Sequence, residues 1–300
     1  MSELTLKDLI SLEEPTVEQI NFRVVRHIMK GHGWEGFDDM IRFDDELLNI
    51  FAGNMGSDRY KGAEIILTCV ALPRSKALLR AAFRNHGIIS FKEARKHYSG
   101  YDRYNHYLRS NNIHTVKDLS KQIFYKLERI PLLEEFRNRL VIDWGKNSQT
   151  YIQKRLDKPV SEIYPQGFVS FFPGWDRVKI SYRELKEIID NPDGNKDWFQ
   201  YLSSHSGVYV ILDEKSGKQY VGSAYGGEGL WTRWSGYART GHNGNKALKA
   251  LASKDPNFAD KFTFSLHHVF PKTVSKNEVI EFESMLKLKL GSRAFGLNEN

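Results

Sequence analysis

Apolar and polar positions alternate along the chain in blocks with different periods. "TVEQINFRVVRHIMKG" and "FDDELLNIFAG" carry apolar residues at helical spacing, and each ends at a glycine, so two helices are expected. "GAEIILTCVALP" is a continuous apolar run stopped by Pro73 and reads as a buried strand. "RSKALLRAAFRNHG" has helical propensity, and a second strand paired with the first also fits it. "LERIPLLEEFRNRLVIDWGKNSQTYIQK" reads as strand, short helix, strand, a turn at Gly145, and strand. Residues 159–176 are rich in proline and aromatics, which suits an ordered irregular connection. In "SYRELKEIIDNP", Ser181 and Glu184 have capping-box spacing, so a helix starts there and ends before Pro192. A domain boundary is expected at about 195–205, giving regions 1–200 and 201–300.

The second region opens on "GVYVILDEKSGKQYVG", two β-rich runs around a polar turn, which is a hairpin signature. Pairing Asp213 with Lys218 sets Ile211 opposite Tyr220 and Tyr209 opposite Gly222. Side chains alternate along a strand, so this register puts Tyr209 and Tyr220 on one face. A glycine-rich stretch, "SAYGGEG", follows. "LWTRWSGYARTGHNGNKALKALAS" reads as a helix or a broken helix, with Arg233 and Tyr237 four apart on one face. "KFTFSLHHVF" alternates like a strand, so at most one of His267 and His268 is expected to face a site. In "SKNEVIEFESMLKLKLG", Ser275 and Glu278 mark a helix start, and Val279, Ile280, Phe282, Leu286 and Leu290 form its apolar stripe.

Composition narrows the picture. With 300 residues there is room for two domains, and a hydrophobic content of 40% fills their cores. Cys69 is the only cysteine, which excludes an intrachain disulfide and a cysteine-based zinc site. No apolar run is long enough to span a bilayer, and the N-terminus lacks signal-peptide character, so a cytoplasmic protein without a membrane partner is expected. The net charge of +7 is unevenly placed: residues 61–160 hold 20 Lys and Arg against 9 Asp and Glu. Such a basic segment suits a phosphate backbone, and equally a solvated surface. Within it Tyr98, Tyr101, Tyr104 and Tyr107 recur every third residue among Arg95, Lys96, Arg103 and Arg109. That pattern fits a nucleic-acid surface or a core-facing stripe. Asp143 and Trp144 are of a type that lines a base-reading pocket.

The segment 205–300 resembles GIY-YIG nuclease domains. Gly207, Val208 and Tyr209 stand for the first tripeptide, and Tyr220, Val221 and Gly222 for the second, with ten residues between the tyrosines. Arg233 matches the family's arginine, Tyr237 the polar or aromatic residue one turn later, and Glu283 its glutamate. Gly296, Leu297 and Asn298 match the final Gly-Leu-Asn. The glycine-rich stretch before Arg233 departs from the pattern. The resemblance covers about the last third of the chain. It implies an α+β protein: a C-terminal GIY-YIG α/β nuclease domain, with a small, largely antiparallel sheet flanked by helices, after a larger mixed α/β N-terminal domain.

The resemblance implies a metal-dependent phosphodiesterase acting on double-stranded DNA. Glu283 would hold Mg²⁺ or Mn²⁺, Arg233 would bind phosphate oxygens, and Tyr209 or Tyr220 would serve as base. Tyr237 would orient water or phosphate, and Asn298 would hold the site wall or contact phosphate. His242 is a surface-loop residue or a phosphate contact. The basic N-terminal region would select the DNA, as in restriction-like or modification-dependent enzymes, and a double-strand cut would need a homodimer or two nicks. The alternative is a nucleic-acid-binding protein with an inactive or repair-type nicking domain.

Overall fold

The computed structural model describes residues 3–29, 37–111, 122–146 and 151–298. The chain divides into two compact units, Met1–Tyr164 and Pro165–Asn300. The boundary therefore lies upstream of the expected 195–205. The cause is a short strand, Lys179–Ser181, which pairs with the last strand of the C-terminal sheet and brings the helices after it into that unit.

The first unit contains β1 (Phe22–His27), β2 (Asn54–Met55), β3 (Ile65–Leu72), β4 (Lys76–Ile89), β5 (Ile123–Ile130), β6 (Leu140–Asp143), β7 (Ile152–Gln153) and β8 (Val160–Ile163). Its helices are α1 (Leu6–Glu13), α2 (Phe37–Phe43), α3 (Asp45–Gly53), α4 (Phe91–His97) and α5 (Tyr101–Ser110). The strands form one mixed sheet in the order β2-β5-β4-β3-β1-β7, with β6 joined to β4 and β8 to β6. Only β1 and β3 pair in parallel among the described strands.

Strand β1 lies in the middle of "TVEQINFRVVRHIMKG", where a helix is expected. Phe22, Val24, Val25 and Arg26 are all buried, so both faces of β1 are covered. A strand buried on both faces loses the period-two signature, and its apolar spacing imitates a helix. Arg26 is tolerated because its guanidinium donates to the carbonyls of Lys76 at 3.0 Å and Leu72 at 3.1 Å. The ambiguous segment 74–87 is a strand within β4, antiparallel to β3.

The tyrosine stripe faces inward. Tyr98, Tyr101 and Tyr104 are buried in a core built with α3, β3 and β5, and Tyr107 packs against it. Trp144 is also buried, with the Lys158 ammonium over its ring at 4.1 Å, and Asp143 accepts from the Gly145 N–H at 2.7 Å. Neither the stripe nor Trp144 offers a free ring to a base. Part of the basic charge is also balanced internally. Arg103 pairs with Asp44 and Glu46, Arg129 with Asp45 and Glu134, Arg137 with Asp45, and Lys76 with Glu162.

The second unit is a four-stranded antiparallel sheet in the order β11-β10-β12-β9. Its strands are β9 (Lys179–Ser181), β10 (His205–Asp213), β11 (Gln219–Ala224) and β12 (Phe262–Pro271). Its helices are α6 (Tyr182–Asp190), α7 (Lys196–Ser204), α8 (Gly229–Thr240), α9 (Lys246–Ala252) and α10 (Lys276–Lys289). The expected capping box opens α6: Ser181 and Glu184 exchange bonds. One face of the sheet sets Tyr209, Ile211 and Phe264 against Leu185, Trp198, Leu230 and Trp234 of α6–α8. The other sets Val208, Val210 and Val221 against Val279 and Leu286 of α10. Leu290, expected in that stripe, is exposed beyond the end of α10. No helix among the described residues is long and apolar enough to cross a membrane.

Candidate active site

The hairpin register places the two tyrosines. Ile211 pairs with Tyr220, Val210 with Val221 and Tyr209 with Gly222, and the Asp213 N–H donates to the Lys218 carbonyl at 2.9 Å. Both phenol rings close over Gly222. A β-carbon there would lie 2.6 Å from Tyr209 Oη and 2.8 Å from Tyr220 Cε1, well inside contact distance. The register of β10 against β12 shifts between Val208 and Tyr209, so a bulge sits beside the first tyrosine. Because of it, His267 and His268 do not alternate as expected: both are exposed, and His268 stacks on Phe282 at 4.4 Å.

Helix α8 completes this cluster. The Tyr209 hydroxyl donates to Tyr237 Oη at 3.2 Å, and the Tyr237 ring lies 5.9 Å from that of Tyr209 and 6.4 Å from that of Tyr220. Arg233, one turn earlier, is half-buried beside these rings. Burial pulls its guanidinium down, but Tyr209, Tyr237, Tyr220 and Tyr225 around it outweigh that, so the cation is held above its ordinary range. Burial drives the Tyr209 phenol far above its ordinary value. Tyr220 adds to the rise, while Arg233 and the bond to Tyr237 oppose it. Tyr237 is raised for the same first reason, burial. These two buried phenols are therefore neutral donors and acceptors at physiological pH.

Glu283 arrives from the other side of the sheet. It stands on α10, and one carboxylate oxygen accepts from the Ser223 hydroxyl. Ser223 alternates with Gly222, so the carboxylate lies on the α10 face, opposite the rings. Its charge still reaches Tyr209 and contributes to raising that phenol. The second oxygen lies 2.7 Å from the Lys287 ammonium. Ser223 and Lys287 are the residues that motif reading misses. The i,i+4 spacing of Glu283 and Lys287 on one helix is the available signal for the second.

Asn298 does not stand among these groups. Its side-chain amide donates to the Val221 carbonyl at 2.8 Å and accepts from the Val221 N–H at 2.8 Å. Leu297 N–H adds a bond to the Gln219 carbonyl at 2.8 Å. The chain after α10 thus pairs with the open edge of β11 and holds the strand that carries Tyr220.

His242 follows α8 in a loop where its Nδ1 accepts from the Gly244 N–H at 3.0 Å. The loop residue that reaches Arg233 is its neighbour Asn243, which donates to the Arg233 carbonyl at 3.2 Å. Gly236 makes room, since a β-carbon there would meet Asn243 Oδ1 at 2.1 Å. The glycine-rich stretch forms one wall of an open cleft of about 210 Å³, lined by Tyr225, Gly226, Gly227, Thr232, Arg233 and Asn243. Arg233 is thus reachable from this cleft.

No family model matches the chain, and no curated protein matches it. Among solved structures, it is similar to the catalytic domain of the homing endonuclease I-TevI, at 30% identity and a TM-score of 0.25, over 31% of this chain and 96% of that one. It is also similar to a mutant catalytic domain of the intron endonuclease I-TevI, at 26% identity and a TM-score of 0.26, over 32% of this chain and 94% of that one.

Proposed function

We propose that this chain is a metal-dependent DNA endonuclease that cleaves phosphodiester bonds with Tyr209, Tyr220, Arg233 and Tyr237 from one face of the sheet and Glu283 from the α10 side. The observation that carries the reading is the convergence of Tyr209 and Tyr220 over the bare backbone of Gly222, with Tyr237 bonded to Tyr209, the Arg233 cation within electrostatic reach of all three phenols, and the Glu283 charge reaching Tyr209. A packing hairpin has no use for a half-buried arginine open to a cleft.

Arg233 is permanently charged, and its fork matches the oxygens of a phosphodiester and the extra charge of its transition state. The Tyr209 and Tyr237 hydroxyls form a short donor–acceptor chain that would orient a water or a phosphate oxygen. Tyr220 is the more exposed of the two motif phenols, and we assign it the contact with the attacking water. Asn298 keeps Tyr220 in register through Val221.

Glu283, with Ser223 beside it, would hold the divalent ion. No cluster of three or more metal-type ligands exists among the described residues. One carboxylate with a hydroxyl suits Mg²⁺, which keeps several waters and takes one or two carboxylates. Such an ion supplies a Lewis acid for a phosphate oxygen.

The first unit contributes DNA contact in this reading. Lys92, Arg95 and Lys96 of α4 and Lys126 of the adjacent β5 are exposed. They stand near a cleft of about 410 Å³ lined by Asn49, His86, His97, Lys126 and Glu128, which is the place to look for base or modification reading. Supercoiled plasmid incubated with Mg²⁺ tests the proposal, with wild type beside Arg233→Ala and Glu283→Ala. Nicking or linearisation by wild type alone is expected. Equal cleavage by all three proteins would overturn the assignment. Modified and unmodified DNA of one sequence, cut side by side, reports any modification dependence.

A further inference from the structure

Both oxygens of the Glu283 carboxylate are engaged within the second unit. Ser223 donates to one, and the Lys287 ammonium lies 2.7 Å from the other. The pair sits at i,i+4 on α10 with glutamate first, the favourable order on a helix. It differs from an ordinary helix-surface pair in its burial: the Lys287 side chain is 9% exposed and that of Glu283 16%. Water and salt screen such a pair weakly, and removing one partner leaves a charge the surroundings do not balance.

We infer that Lys287 is a resident counter-cation whose ammonium competes with the divalent metal for Glu283 and so sets the metal affinity of the site. This rests on the nuclease reading of the same carboxylate. A divalent ion on Glu283 has to displace the ammonium or sit beside it, and like charges at such separations repel strongly in a poorly hydrated setting. The lysine stem is long and flexible, so its head can move off without unfolding the helix. The arrangement keeps Glu283 aimed at β11 and balanced in charge before metal arrives. Its consequence is weak, exchangeable metal binding. Lys287 is thus a positioning residue and is assigned no contact with substrate.

The test measures Mn²⁺ binding by electron paramagnetic resonance of the free ion, together with melting temperature with and without Mg²⁺. The proteins are wild type, Lys287→Met, Lys287→Arg and Glu283→Gln. Lys287→Met is expected to bind Mn²⁺ about tenfold more tightly, because a charge of like sign has left the site. It should melt below wild type without metal and recover more on adding Mg²⁺. Lys287→Arg should stay near the wild-type affinity, and Glu283→Gln should abolish the site. Unchanged or weaker Mn²⁺ binding by Lys287→Met overturns the inference. Should that variant fail to fold, Lys287→Gln, neutral and polar, is read by the same criteria. If wild type cleaves plasmid and Arg233→Ala does not while Lys287→Met binds no tighter, only this inference falls. If no protein shows a Glu283-dependent Mn²⁺ site, this inference falls, and the cleavage assay decides the nuclease reading separately.

Discussion

The Tyr209 hydroxyl lies 2.6 Å from where a β-carbon on Gly222 would stand, so the strand partner of the first motif tyrosine has to be glycine. Gly222→Ala forces both rings to shift from their places over the strand. We expect its cleavage activity to fall about 100-fold, as when catalytic groups lose their placement. The cost in stability should be about 1–3 kcal/mol, the usual range for overpacking. Plasmid nicking and urea unfolding on one preparation compare the two effects. A variant that unfolds readily but cuts normally when folded would argue against the ring cluster as the active site.

Asn298→Ala removes two hydrogen bonds to Val221. At about 1 kcal/mol each for typical bonds, the second unit should lose about 2 kcal/mol. Asn298→Asp keeps an acceptor for the Val221 N–H but sets an oxygen against the Val221 carbonyl, so it should recover none of the loss near neutral pH. Urea midpoints of the three proteins check the order.

Tyr98 tests whether the tyrosine stripe is core or contact. Its hydroxyl donates to the Tyr125 carbonyl and accepts from the Leu127 N–H at 3.2 Å. Tyr98→Phe should destabilise the first unit by about 1–3 kcal/mol, the cost of buried groups left without partners. DNA affinity measured on the folded variant should stay within about twofold, because a packed ring has no face to stack on a base. A large affinity loss with stability intact would restore the stacking role.

Stability should decline at both ends of the pH scale, for identifiable reasons. His27 has a buried Nε2 without a hydrogen-bond partner, and burial lowers its pKa to about 4 from an ordinary 6.5. The unfolded chain then binds the proton more readily, so stability present above pH 6.5 is lost as pH falls towards 4. The slope should be about 1 kcal/mol per pH unit from this group, and His27→Gln should flatten it. At the alkaline end, burial raises Tyr98 and Tyr104 to about 12. Their contribution is intact below pH 10 and is lost as pH climbs from 10 to 12. Absorbance at 295 nm should show exposed phenols ionising first and the buried set ionising with unfolding.

How far the chain could be read from its letters depended on the kind of burial. The β10–β11 hairpin was legible because one register satisfies both its turn and its alternation, and Tyr209 and Tyr220 followed from it. Helices α6 and α10 announced themselves through Ser181 and Ser275 at their N-caps. Strand β1 did not, because Val24, Val25 and Arg26 are all buried and the alternation that marks a half-buried strand is gone. The tyrosines at 98, 101 and 104 fitted two surfaces equally well, and only the packing of α3 against them decides. Lys287 was hidden for a different reason: a Glu–Lys pair at i,i+4 is the commonest decoration of an exposed helix, and nothing in the letters says that this one is covered.

Asn298 grips the backbone of β11 at Val221, the one position between Tyr220 and Gly222. A slip of β11 by a single residue would turn Tyr220 to the α10 side and Ser223 to the ring side, parting the phenols from Arg233 and the carboxylate from its hydroxyl. The sheet could still close with apolar groups on both faces, and such a molecule would look folded with its polar groups parted. The clamp at Val221 therefore acts as a proofreader of strand alignment: it admits the one pairing that keeps the phenols beside Arg233 and Ser223 beside Glu283.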